Sequence, residues 1–184
     1  MTFQEIIDKY YPPGSLRRVI YMRHCESVAR LALEIADRCG TDVEREMIYE
    51  AAMLHDIGIC LTDARDIGCE GSEPYIMHGV LGGKLLRDHG MPEEYARVAE
   101  RHTGAGITRE DIVSQGLPLP PGDYMPRTVL ERLVCYADKF YSKGGDMKRK
   151  SPDRVEASMA RISQSTLQRY LALRDEFGTI TTDM

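Results

Sequence analysis

The chain has 184 residues, 42% hydrophobic and 29% charged, with a net charge of −5. That is enough chain for one domain with a real core, and too apolar a composition for a disordered segment. The negative balance argues against an extended nucleic-acid surface or anionic-membrane binding.

In chain order, the pattern predicts helices almost throughout. Residues 2–10 form a short helix stopped by Pro12-Pro13-Gly14. A long helix runs from Ser15 to Cys39, with Gly40 placed to cap it. Asp42 is placed to cap the next, 43–54, which ends at His55-Asp56. Residues 57–76 carry Gly58, Gly68, Gly71 and Pro74 and read as loop with about one turn. Helix 77–89 ends at Gly90, and Pro92 opens another that reaches His102. Thr108 caps 109–115, and 116–126 is a Pro- and Gly-rich loop. Helix 128–142 follows. Ser151-Pro152-Asp153 then opens one long helix to about 177, with Val155, Met159, Ile162, Thr166, Tyr170 and Leu173 on one face. No alternating strand pattern and no internal repeat occurs, so the expected fold class is all-α. Residues 1–184 read as one domain, a core of about 20–143 with the C-terminal helix packed on it.

No segment approaches the ~20 apolar residues of a membrane span, and the first twenty residues lack a signal-peptide pattern. The five cysteines (25, 39, 60, 69, 135) form no C-x-x-C and read as reduced thiols. A cytoplasmic location is expected on these grounds.

Six polar residues fall on apolar helix faces: His24, His55, Asp56, His78, His102 and Asp138. His24 is in line with Ile20, Val28, Leu31 and Ile35. His55 follows Met47, Ala51 and Leu54, and His78 precedes Leu81 and Leu85. His102 follows Tyr95, Val98 and Ala99, and Asp138 sits between Val134 and Tyr141. A lone inward histidine is ordinarily structural. Two buried carboxylates among four inward histidines need shared compensation, and a divalent metal supplies it. Iron and manganese lead the candidates for one or two such ions, with nickel, zinc, cobalt and magnesium behind them.

The order His, His-Asp, His, His, Asp on successive helices resembles the HD superfamily of metal-dependent phosphohydrolases. His55-Asp56-Ile57-Gly58 matches the HDIG variant of its signature. The stretches Arg101 to Ile107, Leu117 to Tyr124 and Tyr136-Ala137-Asp138-Lys139 look like a group of small HDIG proteins. The resemblance covers about 20–143 and implies a helical bundle with the metal site in its core. It further implies that His24, His55, Asp56 and Asp138 hold one metal. In two-metal members the position of Asp56 bridges, and those of His78 and His102 hold the second ion. Ile59 stands where some HDIG phosphodiesterases carry Lys, and the Gly-Tyr-Pro motif of one cyclic-dinucleotide group is absent, so cyclic-dinucleotide cleavage loses weight. The Tyr-Ala-Asp-Lys neighbourhood is similar to that of dinucleoside-polyphosphate hydrolases.

The expected function is hydrolysis of a phosphoester or phosphoanhydride bond in a nucleotide-like substrate. A bound cation lowers the pKa of water from 15.7 toward ~7 and so makes hydroxide available at neutral pH. Asp56 and His55 carry the catalytic expectation, while Arg101, Lys139 and Lys143 are the cations expected to bind the substrate phosphate. Two alternatives stand beside it: a di-iron oxygenase of HD type, and a sensing or interaction module that keeps the metal for structure. The expected partner is a phosphorylated small molecule, and a homodimer is left open. His89, in the last turn before Gly90, reads as structural.

Overall fold

In the computed structural model, which describes residues 1–180, the protein is all-α apart from one minimal hairpin. α1 (Phe3–Tyr10) is opened by a Thr2–Glu5 capping box. α2 (Leu16–Cys39) starts at the Ser15 cap and ends on Gly40, whose φ of 63° is the left-handed conformation glycine adopts freely. α3 spans Arg45–Leu54 and is capped by no side chain; its N-cap is Glu44, so Asp42 does not serve as the sequence suggested.

The loop expected at 57–76 is more ordered than one turn. It holds three 3₁₀ turns, Ile57–Leu61, Arg65–Ile67 and Tyr75–Met77. Between them β1 (Asp63–Ala64) pairs antiparallel with β2 (Cys69–Glu70). Two-residue strands are too short to leave an alternation signal.

α4 (His78–Asp88) and α5 (Glu93–Arg101) form an antiparallel-type pair joined through Gly90 and Pro92. Small residues let α4 approach its neighbours. A Cβ on Gly58 would lie 2.2 Å from the His78 carbonyl oxygen, and one on Gly79 would lie 2.7 Å from the Ala99 oxygen. α6 (Arg109–Gln115) carries the expected Thr108 cap, completed by Asp111. α7 spans Val129–Asp138 and ends four residues earlier than the pattern implied, because the chain turns off directly after Asp138.

The C-terminal helix departs from expectation. It is two helices, α8 (Pro152–Ile162) and α9 (Gln164–Phe177), broken at Ser163 with φ −169° and ψ 161°. The Ser163 hydroxyl accepts the Thr166 N–H at 3.0 Å and starts α9 afresh.

α2, α3, α5 and α7 enclose the main core around Val28, Leu31, Ile35, Leu54, Val98, Leu133 and Tyr136, all fully buried. A smaller cluster of Ile107, Ile112 and Leu119 packs against Ile76, Met77 and Val80, joining α6 to the start of α4. All five cysteines are unpaired, and no described helix is long and apolar enough to cross a membrane.

Candidate metal centre

Helix ends, more than helix faces, bring the six residues together. His24 alone lies in mid-helix, on α2. His55 is the C-cap of α3, and Asp56 follows it at the head of a 3₁₀ turn. His78 opens α4, His102 caps the C-terminus of α5, and Asp138 is the last residue of α7. The last carbonyls of a helix have no intrahelical donor. His55 Nδ1 takes up the Ala52 oxygen at 2.6 Å, and His102 Nδ1 takes up the Ala99 oxygen at 2.8 Å. His78 Nδ1 does the same with the Tyr75 oxygen at 2.7 Å, from the preceding 3₁₀ turn. With Nδ1–H donated to a carbonyl, each ring turns Nε2, the atom that binds a metal once unprotonated, toward the cluster.

The Nε2 atoms of these three rings and of His24 converge in two groups that share Asp56. His24 Nε2 lies 3.1 Å from Asp56 Oδ2 and 3.1 Å from Asp138 Oδ1. His55 Nε2 lies 3.1 Å from Asp56 Oδ2 and 3.4 Å from Asp138 Oδ1. On the other side, Asp56 Oδ1 faces His102 Nε2 at 3.3 Å and His78 Nε2 at 3.6 Å. The donor atoms of His24, His55, Asp56 and Asp138 all lie within 4.8 Å of one another, as do those of Asp56, His78 and His102. All six residues are buried.

This arrangement fits a cation. Neither oxygen of Asp56 accepts a hydrogen bond of adequate geometry among the described residues, although Asp56 is fully buried. Burial opposes ionisation of Asp56, but the charges of His55 and Lys143 outweigh it and hold the carboxyl well below its usual range. Asp138 is lowered in the same way, against burial, by Lys139 and by bonds from His24 and His55. Burial would discharge His55, but Asp56 keeps it protonated well above the usual imidazole range; a proton stands there where the carboxylates demand positive charge. Burial, reinforced by His102, pushes His78 down to about 3, and burial lowers His102 as well. Imidazole and carboxylate ligands together suit borderline divalent ions.

Surrounding groups fix the ligands. Tyr11 stacks on Tyr21 at 3.9 Å between ring centroids. Its hydroxyl reaches the Asp56 and Ile57 oxygens at 3.3 Å and accepts the Cys60 N–H at 3.1 Å, pinning the turn that carries Asp56. Lys139 Nζ lies 2.8 Å from Asp138 Oδ2 and donates to the His102 oxygen at 2.9 Å, tying α7 to α5. Lys143, on the loop after α7, reaches in to 2.6 Å from Asp56 Oδ2. Arg101 is not brought to the cluster. It pairs with Glu131 at 2.9 Å, and Glu131 also accepts the Arg127 N–H. Neighbouring His102 in sequence did not make Arg101 a neighbour of the ligands, because consecutive helical residues point about 100° apart.

Two residues beside the cluster escaped the sequence reading. Tyr75, 42% exposed, lies over His78 with ring centroids 4.8 Å apart. Thr103 brings its hydroxyl to 3.4 Å from His78 Nε2. Their only signal was position, three residues before one ligand and one after another. His89 is bonded to the Tyr10 hydroxyl at 2.7 Å, away from the cluster, as a structural residue.

Fold and cluster together define a helical domain with a buried His/Asp centre for divalent metal. The HD domain model matches residues 21–142, and the chain belongs to that family. It is 33% identical over 164 residues to an uncharacterized protein of Methanocaldococcus jannaschii, covering 86% of this chain and 88% of that one. It is 36% identical over 123 residues to the tRNA (cytidine(56)-2'-O)-methyltransferase of Picrophilus torridus. That match spans 67% of this chain but only 32% of the methyltransferase. Among solved structures, the HD domain of the L. monocytogenes phosphodiesterase PgpH superposes with a TM-score of 0.56 at 15% identity, covering 95% of this chain and 94% of that domain. The same domain in complex with cyclic-di-AMP gives 0.54 at 14% identity, covering 98% and 99%. At such identities the likeness is one of fold.

Proposed function

We propose that the protein is a divalent-metal-dependent phosphohydrolase that cleaves a phosphoester or phosphoanhydride bond of a nucleotide-like substrate. The observation that carries this reading is the sharing of Asp56 between two donor sets, with two lysines in contact with the same carboxylates. His24, His55, Asp56 and Asp138 would hold the first ion. His78 and His102 would complete a second, more open site with Asp56 as bridge. Bound divalent cations supply an activated water at neutral pH and neutralise phosphoryl oxygens.

The chain's own residues prepare that chemistry. Asp56 and Asp138, both ionised, fix where the positive charge sits. His78 and His102, both neutral, keep Nε2 free. Lys143 stays charged, because the attraction of Asp56 exceeds the burial that opposes it. It is the cation nearest to where a substrate phosphate would meet the centre. Lys139 holds Asp138 and is assigned a positioning role; the engagement of Arg101 by Glu131 leaves it the weakest of the three substrate-binding candidates. The family membership and the PgpH fold likeness support the same class, and PgpH itself carries cyclic-di-AMP on this fold.

The test is a turnover screen of chelated and reloaded protein with mononucleotides, dinucleoside polyphosphates, cyclic nucleotides and short RNA, with and without oxygen. Turnover restored by manganese or iron under anaerobic conditions is the expected result. A strict oxygen requirement would favour the oxygenase class. No turnover with any metal would favour a sensing module.

A further inference from the structure

A cavity of about 220 Å³ opens beside the metal centre. Its walls are Ile76, Ile107, Leu117 and Ile162. Its inner end is Thr103, whose hydroxyl touches His78 Nε2 at 3.4 Å. The break at Ser163 builds its outer wall: α8 ends on Ile162, and the restarted α9 presents Arg169.

Arg169 lines the cavity. Its Nη2 donates to Asp111 Oδ2 at 2.8 Å, to Thr166 Oγ1 at 3.1 Å and to the Gly106 oxygen at 3.2 Å. Its Nε is buried and has no partner among the described residues. An unpaired buried donor is costly, and a ligand acceptor would relieve it. Asp111, which also lines the cavity, receives only a long 3.4 Å bond from Gln115 at its Oδ1, so acceptor capacity is left on that carboxylate.

Building on the hydrolase reading, we propose that this cavity is the nucleobase subsite of the substrate. The charge of Arg169 is balanced by Asp111, so this end of the site is close to neutral and lined by apolar walls. A phosphate would be better placed at the other end, where the carboxylates and Lys143 define the centre. A neutral heteroaromatic ring with both acceptor and N–H donor groups suits the cavity: apolar walls for its faces, a guanidinium that can bond or stack, and a carboxylate for its N–H. The volume is below the ~300–1,000 Å³ of pockets that enclose a drug-sized ligand, which suits one base, not a whole dinucleotide.

The experiment is isoleucine-methyl NMR of the zinc-loaded full chain, titrated with nucleoside 5'-monophosphates and, separately, with ribose 5-phosphate. The methyls of Ile76, Ile107 and Ile162 should shift with the nucleotides and stay in place with the sugar phosphate. Ile162 is 49% exposed, so Ile162→Glu should fold normally. Ile162→Glu and Arg169→Met should each narrow the affinity gap between nucleotide and ribose 5-phosphate by about tenfold or more. Nucleotides that leave the three methyls unmoved, or that bind no better than ribose 5-phosphate, would overturn the subsite. The readout is binding. Absent turnover in the screen above would therefore sink the hydrolase reading alone, and turnover without these shifts would sink the subsite alone.

Discussion

The Nε2 atoms of His78 and His102 face each other at 3.0 Å. Both rings donate Nδ1–H to a backbone carbonyl, so two lone-pair atoms meet where only a cation between them makes the contact favourable. His78→Ala and His102→Ala should therefore each lose one ion per chain while keeping the other, and lose roughly 100-fold or more in turnover. Elemental analysis of the two variants, run beside their activity, checks this. Full metal content with unaltered turnover would make these histidines structural.

Metal removal should destabilise the fold, because two buried carboxylates and four inward histidines would lose their shared partner. An ion at 1,000 times its Kd contributes about 4 kcal/mol. For a chain of this size that corresponds to a Tm lower by roughly 8–16 °C after chelation. Calorimetry with and without chelator reads it directly.

Gly58 lies where the turn after Asp56 crosses α4. A Cβ there would sit 2.2 Å from the His78 oxygen and 2.4 Å from the Gly82 nitrogen, both backbone atoms that cannot rotate away. Gly58→Ala should push α4 off the turn, separate His78 from Asp56 and cost about 1–3 kcal/mol or more. Denaturant unfolding should show the loss, and metal analysis should show it concentrated at the second ion.

Ser163 caps α9 by accepting the Thr166 N–H. Ser163→Ala should cost about 1 kcal/mol and lower Tm by roughly 2–4 °C. Metal content should be unchanged, because α8 and α9 carry none of the six cluster residues.

The cluster was legible because burial and polarity conflict at each of its members: a histidine in line with Val28 and Leu31, or an aspartate between Val134 and Tyr141, has no reason to face a core without a partner. The helix boundaries were legible where caps are strong, as at Ser15, Thr108 and Gly40. The break at Ser163 was hidden because Ile162 and Thr166 keep the apolar spacing running across it; only the serine three residues before Thr166 hinted at a new cap. The position of Arg101 was not legible either, since its partner Glu131 is contributed by a helix thirty residues further on. The hairpin and turns before His78, which deliver Tyr75 to the site, are too short to carry a period.

Whether Asp56 joins two metal sites can be read from anomalous diffraction by crystals of the manganese-loaded protein. Two anomalous peaks roughly 3.5–4 Å apart, one against each oxygen of Asp56, are the predicted result. A single peak, or two peaks of which one lies away from Asp56, would contradict it.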